Sequence, residues 1–198
     1  MPGRRVVLAT GNAGKLREFQ ALLGDEFELL PQSEFGIAGV EETGATFEEN
    51  ALLKARHAAA AAGLPAIADD SGLEVDALNG APGVRSARFA GADGDDAANN
   101  EKLLRELEGV SGAARRARFR AVVVYVDDAG DARPLIAEGA WEGFIAHQPR
   151  GANGFGYDPL FFDGSTQQTS AELAPAEKNR RSHRGQAVRR LRGLLAAG

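Results

Sequence analysis

The sequence has no cysteine, which excludes a disulfide framework, every thiolate metal site and a cysteine nucleophile. It also lacks a long hydrophobic run. The longest weakly apolar stretch, Ala58 to Ala68, is alanine broken by Gly63 and Pro65, too short and too interrupted to span a bilayer. The opening Met-Pro-Gly-Arg-Arg passes into a short strand without the apolar core of a signal peptide, so a soluble cytoplasmic protein is expected. Lysine is scarce: of 23 Lys and Arg residues only Lys15, Lys54, Lys102 and Lys178 are lysine. Lysine is a compact point charge that can approach one phosphate oxygen, whereas arginine is a planar fork. Compositional bias explains the scarcity equally well until the positions of the lysines are considered.

What is present is ordinary for a globular chain. With 198 residues, 43% hydrophobic and 26% charged, it can build one large domain or two small lobes around a real core. A formal net charge of −5 argues against a broad basic groove for polymeric nucleic acid. It leaves room for a small phosphate ligand, which needs only a few local cations.

The pattern predicts a strand over Val6–Ala9, a turn at Thr10–Gly14 and a helix over Lys15–Leu23 with Leu16, Phe19, Leu22 and Leu23 at helical spacing. Phe27–Pro31 continues as a strand, giving a β-α-β start. Thr46 with Glu49 reads as a capping box, and Gly63 followed by Pro65 reads as a stop, which brackets a helix of about four turns. Pro65–Ala68 is predicted as a brief strand ending in Asp69-Asp70-Ser71-Gly72, with Leu73–Leu78 extended after it. Asp95–Leu107 is an amphipathic helix. Ala117–Val126 and Leu135–Ala146 form a hairpin around Asp127-Asp128-Ala129-Gly130. A glycine-rich segment, Pro149–Asp158, precedes the apolar run Pro159–Phe162, and a C-terminal helix buries Val188, Leu191, Leu194 and Leu195. The sum is an α/β protein with a mixed sheet, a hairpin added to a β-α-β core.

Five constellations are candidates for chemistry. Thr10-Gly11-Asn12-Ala13-Gly14-Lys15 turns from a strand into a helix and presents unpaired amides and a cation to an anion. It is not a Walker A loop, because Gly-x-x-Gly-Lys is too short and Leu16 stands where Ser or Thr would hold magnesium. Glu41-Glu42-Thr43-Gly44 precedes the capped helix, on which Asn50, Lys54 and His57 lie along one polar stripe and Phe47, Ala51, Ala55 and Ala58 along the apolar side. The neighbouring carboxylates of Asp69 and Asp70 repel unless a cation or proton intervenes, and magnesium takes one or two carboxylates plus phosphates and waters. Gly151 to Pro159 sets glycines around Phe155, whose exposed ring can stack on a base. Lys178 to Gly185 adds a basic run just before the last helix. A solvated charge cluster explains that run equally well.

Taken together, Thr10 to Lys15, Glu41 to Gly44, Phe47 to Asn50, Lys54-Ala55, Asp69 to Gly72, Phe155 to Asp158 and Ser182-His183-Arg184-Gly185 closely resemble the non-canonical purine nucleoside triphosphate pyrophosphatases, the inosine/xanthosine triphosphatase family. The resemblance covers nearly the whole chain in the same order, and only the segment Ala92 to Asp96 and the arginine-rich Arg115 to Arg120 are idiosyncratic. It implies hydrolysis of inosine, deoxyinosine and xanthosine triphosphates (ITP, dITP, XTP) to monophosphate and pyrophosphate. It further implies an elongated mixed α/β sheet flanked by helices, one domain over 1–198 with two lobes around a central active-site cleft, and a homodimer. Residue by residue, Thr10, Gly11, Asn12, Ala13, Gly14 and Lys15 would wrap the triphosphate and Lys54 would neutralise it. Glu41 and Asp70 would hold Mg2+, with Asp70 also taking the proton of the attacking water. Ser71 would contact the nucleotide, and Phe155, Gly156, Tyr157, Asp158, Lys178, His183 and Arg184 would enclose the base. Three of the four lysines then have roles. A non-catalytic nucleotide- or RNA-binding module is the alternative reading; it would leave Glu41 and Asp70 as a liability facing phosphate.

Overall fold

The computed structural model describes residues 4–91 and 95–197. The 92–94 part of the idiosyncratic segment Ala92 to Asp96 lies outside the described residues. Strand β1 (Arg4–Leu8) leads into helix α1 (Ala13–Leu23), which opens two residues earlier than the apolar spacing predicts because the Asn12 side chain caps it by accepting from the Lys15 amide. Strand β2 (Phe27–Pro31) follows. Helix α2 (Phe47–Ala62) carries the predicted capping box, with Thr46 and Glu49 each bonding the other's backbone, and ends at Gly63.

The main departure lies in strand β3. The brief strand predicted to stop at Ala68 runs unbroken from Ala66 to Val75, and only Asp76–Leu78 turns, as a short 3-10 segment. Asp69 and Asp70 therefore sit in the interior of a buried strand, not at its carboxyl end. Pairing on β1 covers only the start of the strand, where Val7 meets Ala66 and Leu8 meets Ile67; β3 is also hydrogen-bonded to β4 on its other side, and pairing overrides turn composition. Helix α3 (Asp96–Glu106), strands β4 (Arg116–Val126) and β5 (Leu135–Ile145), and strand β6 (Phe161–Asp163) lie where expected to within a few residues. A two-residue strand β7 (Gln168–Thr169), too short to carry a pattern, follows. The basic run Lys178 to Gly185 is not one segment before the last helix. Helix α4 (Pro175–Arg181) contains Lys178, and helix α5 (His183–Ala197) begins after Ser182.

The strands hydrogen-bond in the order β2-β1-β3-β4-β5-β6-β7. β1 is parallel to β2 and β3, while β5, β6 and β7 are successively antiparallel, so the sheet is mixed as predicted. No helix among the described residues is long and apolar enough to cross a membrane. The chain divides into two compact units. Unit 1 comprises residues to Asp70, Ala121–Gly139 and the stretch from Arg184, and unit 2 comprises Ser71–Arg120 and Ala140–His183. Each has its own core. In unit 1, Val6, Leu8, Ile67, Val123 and Tyr125 pack with Phe19 and Leu23 of α1 and Val188 and Leu191 of α5. In unit 2, Leu73, Val75, Leu103, Leu107, Phe119, Trp141 and Phe161 pack together.

The arginine-rich stretch now has a structural account. Arg115, only 4% exposed, donates to four carbonyls: Leu107 and Val110 beyond α3, and Ile145 and Ala146 at the end of β5. Arg118 lies against Glu74, Asp76 and Glu142, and Arg120 against Glu74. Arg115→Met keeps the stem and deletes every donor, leaving buried carbonyls unsatisfied at about 1–3 kcal/mol each. We expect unfolding free energy from urea titration to fall by about 3 kcal/mol or more; an unchanged midpoint would show that the four bonds contribute nothing net.

Candidate active site

Successive residues of a strand point to opposite faces, so the carboxylates of Asp69 and Asp70 diverge from mid-β3 and acquire different partners. Both are buried, at 1% and 5% exposure. An ionised carboxylate there is costly unless it is paired. Asp69 receives Lys15, whose Nζ lies 3.1 Å from Oδ1. On Oδ2 it receives the Arg184 guanidinium, through Nη2 at 3.0 Å and Nε at 3.2 Å. The remaining arm of Arg184 pairs with Glu18 of α1. Asp70 is bonded by two side chains one turn apart on α2: Lys54 Nζ donates to Oδ1 at 2.8 Å and Asn50 Nδ2 to Oδ2 at 3.3 Å. Lys54 also donates to Glu42 at 2.7 Å.

These surroundings push the adjacent carboxyls in opposite directions. Burial raises Asp69, but Lys15, Arg184 and Lys54 outweigh it and hold the group well below the usual carboxylate range. For Asp70 burial prevails over Lys54 and Lys15, and the group is pushed up. Burial lowers Lys15 despite Asp69 beside it. Burial also pulls on Lys54, yet Asp70, Asp69 and Glu42 together raise it. Two acids whose environments separate them in this way are the usual arrangement where one holds charge and the other exchanges protons.

The strand-to-helix turn is organised locally. Thr10 Oγ1 accepts from the Asn12 amide and Asn12 Oδ1 from the Lys15 amide. The amides of Ala13 and Gly14, at the first two helical positions, have no partner within the helix, as at any helix start. Gly11, Asn12 and Ala13 are exposed and Gly14 is buried.

Unit 2 holds the other predicted residues around a second buried carboxylate. Asp158, 2% exposed, accepts from Lys178 Nζ at 2.5 Å, from the Phe155 amide at 2.8 Å and from Ser170 Oγ at 2.8 Å. The Lys178 ammonium lies 4.8 Å from the centre of the Phe155 ring. Gly154 is required here: its φ is +81°, and a Cβ would meet Asp158 Oδ2 at 2.0 Å. The Tyr157 hydroxyl donates to the Ser86 carbonyl at 2.8 Å. Gly156 and Ser71 are half-buried, and His183 stacks on Phe119 at 4.8 Å between ring centres.

Several expectations need correction. Asn50 and Lys54 share one face of α2 and both bond Asp70, but Asn50 is buried there, while His57 is exposed and approaches the Ala38 carbonyl. Phe155 is half-buried rather than an exposed ring, because its amide is tied to Asp158 and Lys178 covers it. Arg184, which the resemblance assigns to the base, bonds Asp69 and pairs with Glu18 within unit 1. Glu41 is exposed, and it is Glu42 that meets Lys54. Glu18, Glu42, Asn50 and Ser170 thus enter the site without a role having been assigned to them from sequence. Asn50 alone left a signal, a poor helix former inside an alanine-rich helix. A groove of about 780 Å³ on unit 2, lined by Arg116, Arg118, Trp141, Phe144 and Arg181 among others, includes none of the predicted residues.

The Asp69 cluster makes a testable contribution to stability. Asp69→Asn leaves Lys15 and Arg184 buried with one anion fewer, which costs about 3–5 kcal/mol at neutral pH. Because the folded carboxyl titrates lower than the unfolded one, the wild-type contribution is complete above about pH 4 and is lost as pH falls further. Asp69→Asn should therefore show a lower Tm at pH 7 and a shallower fall in Tm between pH 5 and pH 3. Parallel Tm profiles for mutant and wild type would refute the assignment.

The Ham1 family model matches residues 6–194. A dITP/XTP pyrophosphatase from Thioalkalivibrio sulfidiphilus is 61% identical over 93% of this chain and 95% of that protein. Another, from Methylococcus capsulatus, is 57% identical over 98% and 97%. Among solved structures, a HAM1 protein from Coxiella burnetii superposes with a TM-score of 0.89 at 52% identity, covering 98% of this chain and 100% of that one. With a seven-stranded mixed sheet and a family match across nearly its whole length, this chain belongs to the Ham1 family.

Proposed function

We propose that the chain hydrolyses dITP, ITP and XTP to the monophosphate and pyrophosphate, with water as the nucleophile and magnesium as cofactor. The observation that carries this reading is the buried pair on β3, one carboxyl held ionised by Lys15 and Arg184 and the other pushed up beside Lys54, in a relative of proteins named for that activity. Glu41 and Asp70 would hold the metal. Their oxygens suit a hard cation, and each Asp70 oxygen makes one of the side-chain bonds described above, with capacity for a further one. Among the described residues no three acidic or histidine side chains form a ready cage; an ion held by Glu41 and Asp70 would complete its shell with phosphate and water. When bound, magnesium neutralises phosphate charge and acidifies water.

The residues supply the rest. Thr10 to Lys15 receive the triphosphate on backbone amides and the Lys15 ammonium. Lys54 adds a second positive charge where negative charge accumulates. Asp70, with its raised pKa, takes the proton from water. Ser71 contacts the nucleotide. On the base side, Phe155 offers a stacking face, and Gly156, Tyr157, Asp158, Lys178 and His183 surround the purine. Arg184 holds Asp69 ionised and stays among the residues proposed to enclose the base. The whole chain acts as one catalytic domain, in a cytoplasmic homodimer that takes a small-molecule substrate and neither a nucleic-acid polymer nor a membrane.

Phosphorus NMR of dITP turnover should show deoxyinosine monophosphate and pyrophosphate, with no reaction in EDTA. Orthophosphate as first product would contradict attack at the α-phosphorus, and binding without turnover would favour the non-catalytic module. Asp70→Asn should fold and lose about 10²–10⁴-fold in kcat. A well-folded variant at wild-type rate would sink the mechanism.

Base selection supplies a separate test. Phe155→Ala should lower kcat/KM for all purine triphosphates together, by about 1–3 kcal/mol. Lys178→Ala and His183→Ala should narrow the ratio of kcat/KM for dITP over dATP, since the 6-keto acceptor of hypoxanthine replaces a 6-amino donor. An unchanged ratio in both would move the selecting donors elsewhere.

A further inference from the structure

Asp70 touches two side chains of α2, and only Lys54 has a role in the proposed reaction. Asn50 is 1% exposed, and both ends of its amide are engaged. Oδ1 accepts from the Gly44 amide at 2.7 Å. Nδ2 donates to the Gly44 carbonyl at 3.4 Å and to Asp70 Oδ2 at 3.3 Å. Gly44 is held so closely that a Cβ would lie 2.6 Å from Asn50 Oδ1 and 2.7 Å from Glu49 Cβ. The next two amides, of Ala45 and Thr46, both donate to Glu49 Oε2. The first turn of α2 therefore grips three consecutive residues, Gly44 to Thr46, just beyond Glu41-Glu42-Thr43, and the same Asn50 side chain reaches the carboxylate on β3.

We propose that Asn50 is a positioning residue, which orients the Asp70 carboxylate and ties the Glu41–Gly44 segment to it; this rests on the proposed hydrolysis. The geometry explains why the group must be an amide. Asn50 and Lys54, four residues apart, lie on one face of the helix. They supply a donor to each oxygen of Asp70, so the carboxylate plane is fixed from both sides while Lys54 keeps a partner in Glu42. An ionised aspartate at position 50 would still accept the Gly44 amide but would repel the Asp70 carboxylate instead of donating to it. A leucine of similar size would do neither. A partner in the outer shell of a metal-holding or proton-accepting group typically contributes 10- to 100-fold.

The experiment uses Asn50→Asp and Asn50→Leu, with dITP kinetics, Tm and hydrogen exchange of the Gly44 amide measured by NMR. Wild type should turn over dITP and show a protected Gly44 amide. Asn50→Asp should keep that protection, lose about 10- to 100-fold in kcat and change KM by less than about threefold. Asn50→Leu should lose both the protection and the rate. If Asn50→Asp keeps kcat within about twofold of wild type, Asn50 only anchors the loop and the proposal is overturned. An effect confined to KM overturns it equally, as does an unprotected Gly44 amide in wild type. Should Asn50→Leu fail to fold, Asn50→Asp still decides. A wild type that does not turn over dITP overturns the hydrolytic reading itself, whereas active wild type with an active Asn50→Asp overturns only the positioning role.

Discussion

Two acids adjacent in the interior of a buried strand impose a condition on everything packed near them, because each carboxylate must find a cation or forgo its charge. The strand solves half of the problem by pointing the side chains to opposite faces. The remainder falls to the helices of unit 1. Asp69 draws Lys15 from α1 and Arg184 from the start of α5, and Arg184 in turn draws Glu18 back on α1. Asp70 draws Lys54 and Asn50 from α2, and Lys54 draws Glu42 from the segment before that helix. Removing either carboxylate would leave buried cations uncompensated, the costly half of a broken ion pair. The polar network thus ties α1, α2 and α5 to one strand, alongside the apolar contacts of Phe19, Val188 and Leu191.

Unit 2 repeats the device on a smaller scale. Asp158 is buried with Lys178, Ser170 and the Phe155 amide as its partners, and the close approach of the chain at Gly154 admits no Cβ. The carboxylate fixes the ammonium, and the ammonium lies over the aromatic ring. A flexible glycine-rich composition therefore yields a defined conformation, since the Phe155 amide is held by Asp158, the Gly156 amide by Asp96 and the Asn153 amide by the Ala171 carbonyl.

Local chemistry was legible in the sequence wherever it determines structure within about one helical turn. The Thr46–Glu49 capping box, the β2 limits and the α3 helix are of this kind: their signals and consequences lie within a few residues. The resemblance located the family because its motifs recur in order along the chain. Long-range partners were not legible. Arg184 and Asp69 are 115 residues apart and Glu18 and Arg184 are 166 apart, and nothing in the spacing ties them together. The same gap misplaced Asp69 and Asp70 at a strand end: turn composition was visible, whereas the place of β3 between β1 and β4 and the cations that permit buried charge in mid-strand were not. Asn50 was misjudged because helical periodicity reports which residues share a face but not what covers that face.

The choice of cations in unit 1 follows the work each must do on the proposed reading. Among the groups joined to Asp69 and Asp70, the carboxylates are Asp69, Asp70, Glu18 and Glu42, and the cations are Lys15, Lys54 and Arg184, so formally one negative charge is left over. A triphosphate arriving alone would meet that excess. With Glu41, the other proposed metal ligand, the excess is two, and a divalent ion arriving with the triphosphate cancels it; for this reason a metal-dependent hydrolase fits the cluster better than a metal-free binding module. Arg184, a planar fork with its donors spread over two carboxylates, is suited to stay where it is. Lys15 and Lys54 are single charges on flexible stems, able to turn from carboxylate to phosphate without dismantling a bidentate pair. In a chain with only four lysines among 23 basic residues, two stand against the β3 acids and a third against Asp158. These are the positions at which a movable point charge serves better than a fixed fork.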